Sequence, residues 1–239
     1  MIECKNVWKT YTMGELKVHA LRGLNFTVRK GEFVSIMGPS GSGKSTAMNM
    51  IGCLDVPSQG SISLSGQDIS TLGESELAAI RGRKIGFIFQ KFNLINTLSA
   101  LENVTLPLLF LGISKEERTR RAIKLLELVD LRDRMDHKPT ELSGGQQQRV
   151  AIARALATEP EMILADEPTG NLDSTTGGTV MDFLRDLHTK QGTTIVMVTH
   201  DEDVAKNADR VEVLRDGVII SSQDKANHIH SMKNKKVKA

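Results

Sequence analysis

Cysteine is nearly absent: Cys4 and Cys53 are the only two in 239 residues, and they lie far apart. Neither the paired spacing of a zinc site nor that of a redox couple is present, so free thiols in a reducing compartment are the default. Charge of one sign is lacking too. The 31 basic and 29 acidic side chains leave a net +2, and that balance points to neither nucleic acid nor an anionic membrane as a partner. No apolar segment at the start resembles a secretory signal, because polar residues closely follow Met1-Ile2-Glu3. The most apolar later run, residues 106–113, is far short of the roughly 20 residues that span a bilayer. A cytoplasmic protein is expected, and any work at a membrane requires another chain to supply the spanning part. The 39% hydrophobic content is enough for a sizeable core in one large domain or two small ones.

One stretch stands out against this background: Gly38-Pro39-Ser40-Gly41-Ser42-Gly43-Lys44-Ser45, followed by Thr46. It has the spacing of a loop that wraps nucleotide phosphates. Glycines at positions 38, 41 and 43 let backbone N–H groups approach anionic oxygens and let the chain take positive φ. Residues 33–37 before it form a short apolar run suited to a buried strand, and residues 45–54 after it can be helical. A helix start adds free amides and partial positive charge, Lys44 can reach β- and γ-phosphates, and the Ser45 hydroxyl suits Mg²⁺. Taken alone, the stretch also fits a glycine-rich turn that binds nothing.

In chain order, residues 2–12, 18–22 and 24–28 are β-prone runs that suggest a small antiparallel sheet at the front. Tyr11, the only tyrosine, is read as lying just past the first strand, where it can stack on a purine base or simply pack against the core. Residues 61–65 alternate as a half-exposed strand, 74–81 read as a short helix, and 84–89 as an apolar strand delivering Gln90. That glutamine can bind a metal-bound water and a backbone partner. From about 93 to 160 helical periodicity takes over, suggesting an inserted helical subdomain. Within it, Ser114 to Glu117 reads as a capping box, and the charges over 115–121 read as a solvated face.

Leu142-Ser143-Gly144-Gly145-Gln146 precedes a strong helix former run, 147–157. It is either an ordinary serine-capped helix or a second anion site, and a second site in one chain implies a nucleotide held by another copy. Residues 162–165 form a buried strand that delivers Asp166 and Glu167 to a carboxyl edge, one suited to holding Mg²⁺ and the other to polarising the attacking water. Ser174 is the expected cap of a helix running to 190. Residues 193–199 form another apolar strand, which delivers His200, a hydrogen-bond donor suited to a γ-phosphate. A short helix over 201–208 and a hairpin through Asp216-Gly217 follow, and the lysine-rich residues 224–239 read as a disordered tail.

The phosphate loop, residues 142–146, Asp166-Glu167 and His200, with Gln90 and Tyr11 also in place, resemble the nucleotide-binding domain of ATP-binding-cassette proteins in matching order over residues 2–222. The resemblance implies an α/β phosphate-loop fold with a mixed central sheet, an N-terminal antiparallel β subdomain and an inserted helical subdomain, with 1–223 as one ATPase domain. It implies Tyr11 as the adenine-stacking aromatic, the loop residues Gly38 to Thr46 as the phosphate cradle, and Ser45, Gln90 and Asp166 around Mg²⁺. Glu167 becomes the catalytic base, His200 the γ-phosphate switch, and Asp173 a cross-dimer contact. Ser143, Gly144, Gly145 and Gln146 would complete the ATP site of a second copy. The residues 51–55, Phe92-Asn93-Leu94 and Gly170-Asn171-Leu172-Asp173 look like the subgroup serving macrolide-export and lipoprotein-release permeases, although Ala47 and Met48 stand where leucines are more usual.

The implied function is an ATP-hydrolysing subunit that dimerises around two ATP to drive a membrane permease, from the cytoplasmic face and with no nucleic acid involved. A soluble clamp of the same family acting on DNA or ribosomes fits less well. Chromosome and repair members carry a long coiled coil where only a compact segment separates Gln90 from Leu142, and translation members usually carry two cassettes. A phosphate-loop kinase would leave Ser143 to Gln146 without a role.

Overall fold

The computed structural model describes residues 1–220; residues 221–223 of the expected domain and the lysine-rich 224–239 lie outside the described residues. In order, the elements are β1 (Ile2–Met13), β2 (Leu16–Val28), β3 (Phe33–Met37), α1 (Lys44–Ile51), β4 (Gln59–Leu64), β5 (Gln67–Asp68), α2 (Glu74–Lys84) and β6 (Ile85–Phe89). Then come α3 (Ala100–Phe110), α4 (Lys115–Leu128), α5 (Gly144–Leu156), β7 (Met162–Asp166), α6 (Ser174–Gln191), β8 (Thr194–Thr199), α7 (Glu202–Ala205), β9 (Arg210–Arg215) and β10 (Val218–Ile219). The described residues form two compact units: 1–72 with 198–220, and Gly73–Met197. Among the described residues, no helix is long and apolar enough to cross a membrane.

The first unit holds an antiparallel sheet in the order β2-β1-β4-β5. The runs expected as two strands over 18–28 are one long strand, because Gly23 at φ 76° is absorbed as a bulge between Arg22 opposite Trp8 and Leu24 opposite Val7. Beside it β3 pairs in parallel with β9, which pairs antiparallel with β10, so this sheet is mixed. All five β3 residues are buried, as expected for a strand covered on both faces. Asp216 and Gly217, both at positive φ, close the expected β9–β10 hairpin. The helix expected over 201–208 is regular only over Glu202–Ala205, capped by Asp201 at the amides of Asp203 and Val204.

In the second unit β6 and β7 pair in parallel, with Phe89 opposite Asp166. Helices α3, α4 and α5 enclose an aliphatic core that includes Val104, Leu108, Leu126 and Val150. Two expected caps differ. At α4, Ser114 accepts from the Glu117 amide, but the Glu117 carboxylate does not return the bond. It binds Arg120 and Arg121 instead, because a charge-assisted bond to guanidinium is stronger than one to a neutral amide. At α6 the cap is Asp173 rather than Ser174: its carboxylate accepts from the amides of Thr175 and Thr176, and a carboxylate also complements the helix dipole.

The stretch before α3 is held by one buried side chain. Asn103 accepts from the Ile95 amide at 2.8 Å and donates to the carbonyls of Ile95, Leu98 and Ser99. Replacing it takes the side-chain partner from the part-buried Ile95 amide and Leu98 carbonyl. Asn103→Ala is expected to cost about 1–3 kcal/mol, read as a lowered urea midpoint; an unchanged midpoint would contradict this account of the loop.

Candidate active site

The first unit carries the phosphate loop, Tyr11 and His200. Gly38 is buried at the end of β3, while Pro39, Ser40 and Gly41 are exposed. The glycine positions are sterically enforced. A Cβ at Gly38 would lie 2.2 Å from the Leu214 carbonyl oxygen, and one at Gly43 would lie 2.4 Å from that of Ala20. Gly43 takes φ 100° as the N-cap of α1 and offers no side-chain cap. The first amides of the helix are therefore available to an external anion. Lys44 is 8% exposed, and its Nζ donates to the Gly38 and Pro39 carbonyls at 2.8 and 2.9 Å. The Ser42 hydroxyl is buried without a hydrogen-bond partner among the described residues. A wall that admits no Cβ, a buried cation, an orphaned hydroxyl and uncapped amides together fit a phosphate chain.

Tyr11 lies inside β1, opposite Val18. Its hydroxyl donates to Asp55 Oδ2 at 3.2 Å and accepts from the Thr46 side chain. Asp55 Oδ1 accepts from Lys9 Nζ at 2.5 Å, and that ammonium lies 5.1 Å from the Tyr11 ring centroid. Burial pushes the Tyr11 phenol up, and the neighbouring Asp55 charge adds to that. Burial alone would raise Asp55 as well, but the bond from Lys9 leads the contacts that hold it below the usual carboxylate range. Sequence reading missed Lys9 and Asp55. Asp55 was visible only as part of a family-like stretch, and nothing in a linear sequence pairs it with a residue 46 positions earlier. His200 is exposed and directly follows β8.

The second unit carries the remaining candidates. Because β6 and β7 run parallel with Phe89 opposite Asp166, Gln90 and Glu167 leave at the same strand edge. Glu167 has φ 46°, a conformation that non-glycine residues adopt at a cost and that clusters at functional sites. Its carbonyl accepts from the Gly170 amide, and the intervening Pro168 carbonyl accepts from the buried Gln148 at 2.6 Å. A Cβ at Gly170 would lie 2.6 Å from Gln90 Nε2, and Asn171 donates to the Gln90 carbonyl at 2.8 Å. The glutamine is thus packed and hydrogen-bonded directly against the 170–173 loop.

At the start of α5, Ser143 Oγ accepts from the Gln146 amide and Gln146 Oε1 accepts from that of Ser143. The residue set read as a cap or an anion site is a complete capping box, and it leaves the Gly144 and Gly145 amides outside the box. A cavity of about 190 Å³ lies here, bordered by Ser143, Gly145, Gln146, Arg149, Thr175 and Thr176. Asp173 Oδ2 accepts from the Thr176 hydroxyl at 2.7 Å, and the Thr176 contacts hold the Asp173 carboxyl below its usual range. Donors suited to Mg²⁺, a hard ion that takes oxygen ligands, are the Ser45 hydroxyl on the first unit and the Asp166 carboxylate and Gln90 amide oxygen on the second.

A glycine-walled loop between a buried parallel strand and an uncapped helix defines a phosphate-binding α/β class. The family model described as ABC transporter matches residues 21–170. An uncharacterized ABC transporter ATP-binding protein of Thermotoga maritima is 53% identical over 92% of this chain and 93% of its own length. A macrolide export ATP-binding/permease protein MacB of Brucella melitensis is 51% identical over 94% of this chain, which spans 35% of that protein. The solved dimeric structure of the ATP-binding cassette MJ0796 bound to ADP and Pi superposes with a TM-score of 0.86 at 52% identity, covering 92% of this chain and 97% of that one. The matched MJ0796 protein belongs to Methanocaldococcus jannaschii. The chain belongs to the ABC transporter family, as an ATP-binding ATPase member, and the macrolide-export resemblance of its motifs agrees with these relatives.

Gly145 supplies a test of the α5–α6 packing. A Cβ there would lie 2.2 Å from Thr176 Cγ2, and the Thr176 rotamer is pinned by Asp173. Gly145→Ala is expected to cost about 1–3 kcal/mol through overpacking, measured by denaturant unfolding. Adding Thr176→Ser removes the obstructing methyl, keeps the hydroxyl, and should restore most of the loss. A double variant no better than the single one would contradict this origin of the cost.

Proposed function

We propose that two copies of this chain enclose two ATP molecules between the phosphate loop of one and the Ser143 region of the other, and that hydrolysis lets them part. The observation that carries this reading is the presence of two glycine-built helix starts in one chain, α1 and α5, each leaving backbone amides for an anion. One ATP has no need of both. The dimeric structure of the 52% identical MJ0796 cassette with ADP and Pi supports the same arrangement here.

In this reading residues 1–223 act as one ATPase domain, with 93–160 as its helical subdomain. Tyr11 stacks on adenine. Gly38, Pro39, Ser40, Gly41, Ser42, Gly43 and Thr46 shape the cradle, and Lys44 exchanges its carbonyl partners for β- and γ-phosphate oxygens. Ser45, Gln90 and Asp166 hold Mg²⁺, which when bound neutralises phosphate charge and aligns the oxygens. Glu167 orients the attacking water and takes its proton, while His200 donates to the γ-phosphate. Ser143, Gly144, Gly145 and Gln146 meet the nucleotide of the other copy, and Asp173 contacts that copy directly. Because ATP binds the closed pair across both copies, closure is driven by mass action.

The moving part answers to a membrane permease, with the cassette on the cytoplasmic face. Supporting this are the exposed apolar side chains of Ile95, Leu109 and Phe110, the last 81% exposed, and an adjoining cavity of about 290 Å³ lined by residues including Phe87, Asn93, Pro107 and Arg154. The permease portion of the MacB relatives supports a transport role, and nucleic acid has no place in it.

Glu167→Gln is expected to lower ATP turnover about 100- to 10,000-fold while ATP binding persists, and to double the mass by light scattering when ATP and Mg²⁺ are added. Turnover near that of the native chain would remove Glu167 from the role, and a monomer at saturating ATP would contradict the sandwich.

A further inference from the structure

The proposed reading uses Tyr11 as a platform for the base, yet a tyrosine on an exposed strand end has two side-chain torsions to fix before its plane is useful. Stacking requires a defined orientation of the ring, and freezing that ring at the moment of binding would subtract from affinity. In this protein the ring is held in advance. Its hydroxyl is clamped from both sides, donating to Asp55 Oδ2 at 3.2 Å and accepting from Thr46. Lys9, two residues before Tyr11 and therefore on the same face of β1, places its ammonium 5.1 Å from the ring centroid. A cation over an aromatic face is attracted by the ring quadrupole, and it also claims that face, which leaves the opposite one for a base.

The clamp is itself fixed. Lys9 Nζ donates to Asp55 Oδ1 at 2.5 Å and to the Val56 carbonyl at 2.9 Å, and Asp55 Oδ1 also accepts from the Val56 amide at 2.8 Å. The Lys9 side chain is 12% exposed, so this is no solvent-swept ion pair of the kind that contributes little. Asp55 arrives from the turn after α1, where the amides of Leu54 and Asp55 bond the Asn49 carbonyl. Thr46 belongs to the first turn of the same helix. The hydroxyl of the ring is therefore tied both to the helix that follows the phosphate loop and to the turn that ends that helix.

We infer that Lys9 and Asp55 are positioning residues for nucleotide binding: they pre-set the plane of Tyr11 and register it against the phosphate loop. This rests on the reading of Tyr11 as the adenine platform. It assigns the ion pair an effect on the base alone, with none on the phosphates or on the chemical step.

The test compares ATP with inorganic tripolyphosphate, which shares the phosphates and lacks the base, by calorimetry on the full chain. Asp55→Asn and Lys9→Met should each weaken ATP binding about three- to tenfold, the equivalent of one hydrogen bond. Tripolyphosphate affinity and kcat should be unchanged, so the loss appears in KM. In a Tyr11→Ala background, neither substitution should cause any further loss. Equal losses for tripolyphosphate, or a loss that persists in the Tyr11→Ala background, would overturn the inference, since either means a general structural role. Undiminished ATP binding by Tyr11→Ala alone would instead remove the platform reading on which it rests. Should Asp55→Asn unfold the chain, Lys9→Met, which keeps the apolar stem, carries the same comparison.

Discussion

Close approach of backbone to backbone at Gly38 and Gly43 sets what the first unit can do. Neither position has room for a Cβ against the Leu214 and Ala20 carbonyls, so the turn leaving β3 is drawn tight against two neighbouring strands. From that tightness follow the buried Lys44 ammonium, the uncapped start of α1 and the inward Ser42 hydroxyl. Each is a cost in isolation, because buried charge and unpaired polar groups destabilise a fold. A phosphate chain satisfies them all at once. Thr46 and Asp55, at the start of α1 and just after its end, carry the same constraint onward to the Tyr11 hydroxyl.

The second unit is organised by one helix. Along α5, Ser143 closes its own capping box, Gln148 holds the Pro168 carbonyl beyond β7, and Arg154 donates to the Phe92 and Asn93 carbonyls beyond β6. The segments it grips are strained: Phe92, Asn93 and Glu167 all have positive φ, at a cost of about 1–3 kcal/mol each. Through these bonds α5 is joined to the turns that follow both Gln90 and Glu167.

Much of this was legible in the sequence, because local rules govern it. Glycine spacing located the loop, apolar runs located β3, β6, β7 and β8, and Ser143 with the two glycines after it foretold a helix start. What could not be read arises from competition between partners. Whether the Glu117 carboxylate returns to Ser114 depends on where Arg120 and Arg121 point. Whether Ser174 or Asp173 caps α6 depends on one residue of register. The Lys9–Asp55–Tyr11 cluster and the hold of Arg154 on the 92–93 turn join residues distant in the chain, and no periodicity encodes such pairs.

The central claim is that each ATP site is built from two copies, and mixing two inactive copies tests it most directly. Lys44→Ala disables the phosphate loop. Gly144→Asp sets a negative charge at the start of α5, where a Cβ has ordinary room, 3.6 Å from the nearest atom of Leu172. Each variant alone should hydrolyse almost no ATP. In a mixture, some dimers join the intact loop of one copy to the intact α5 start of the other, and activity well above either variant alone is expected. A mixture no faster than its two components would contradict the composite site.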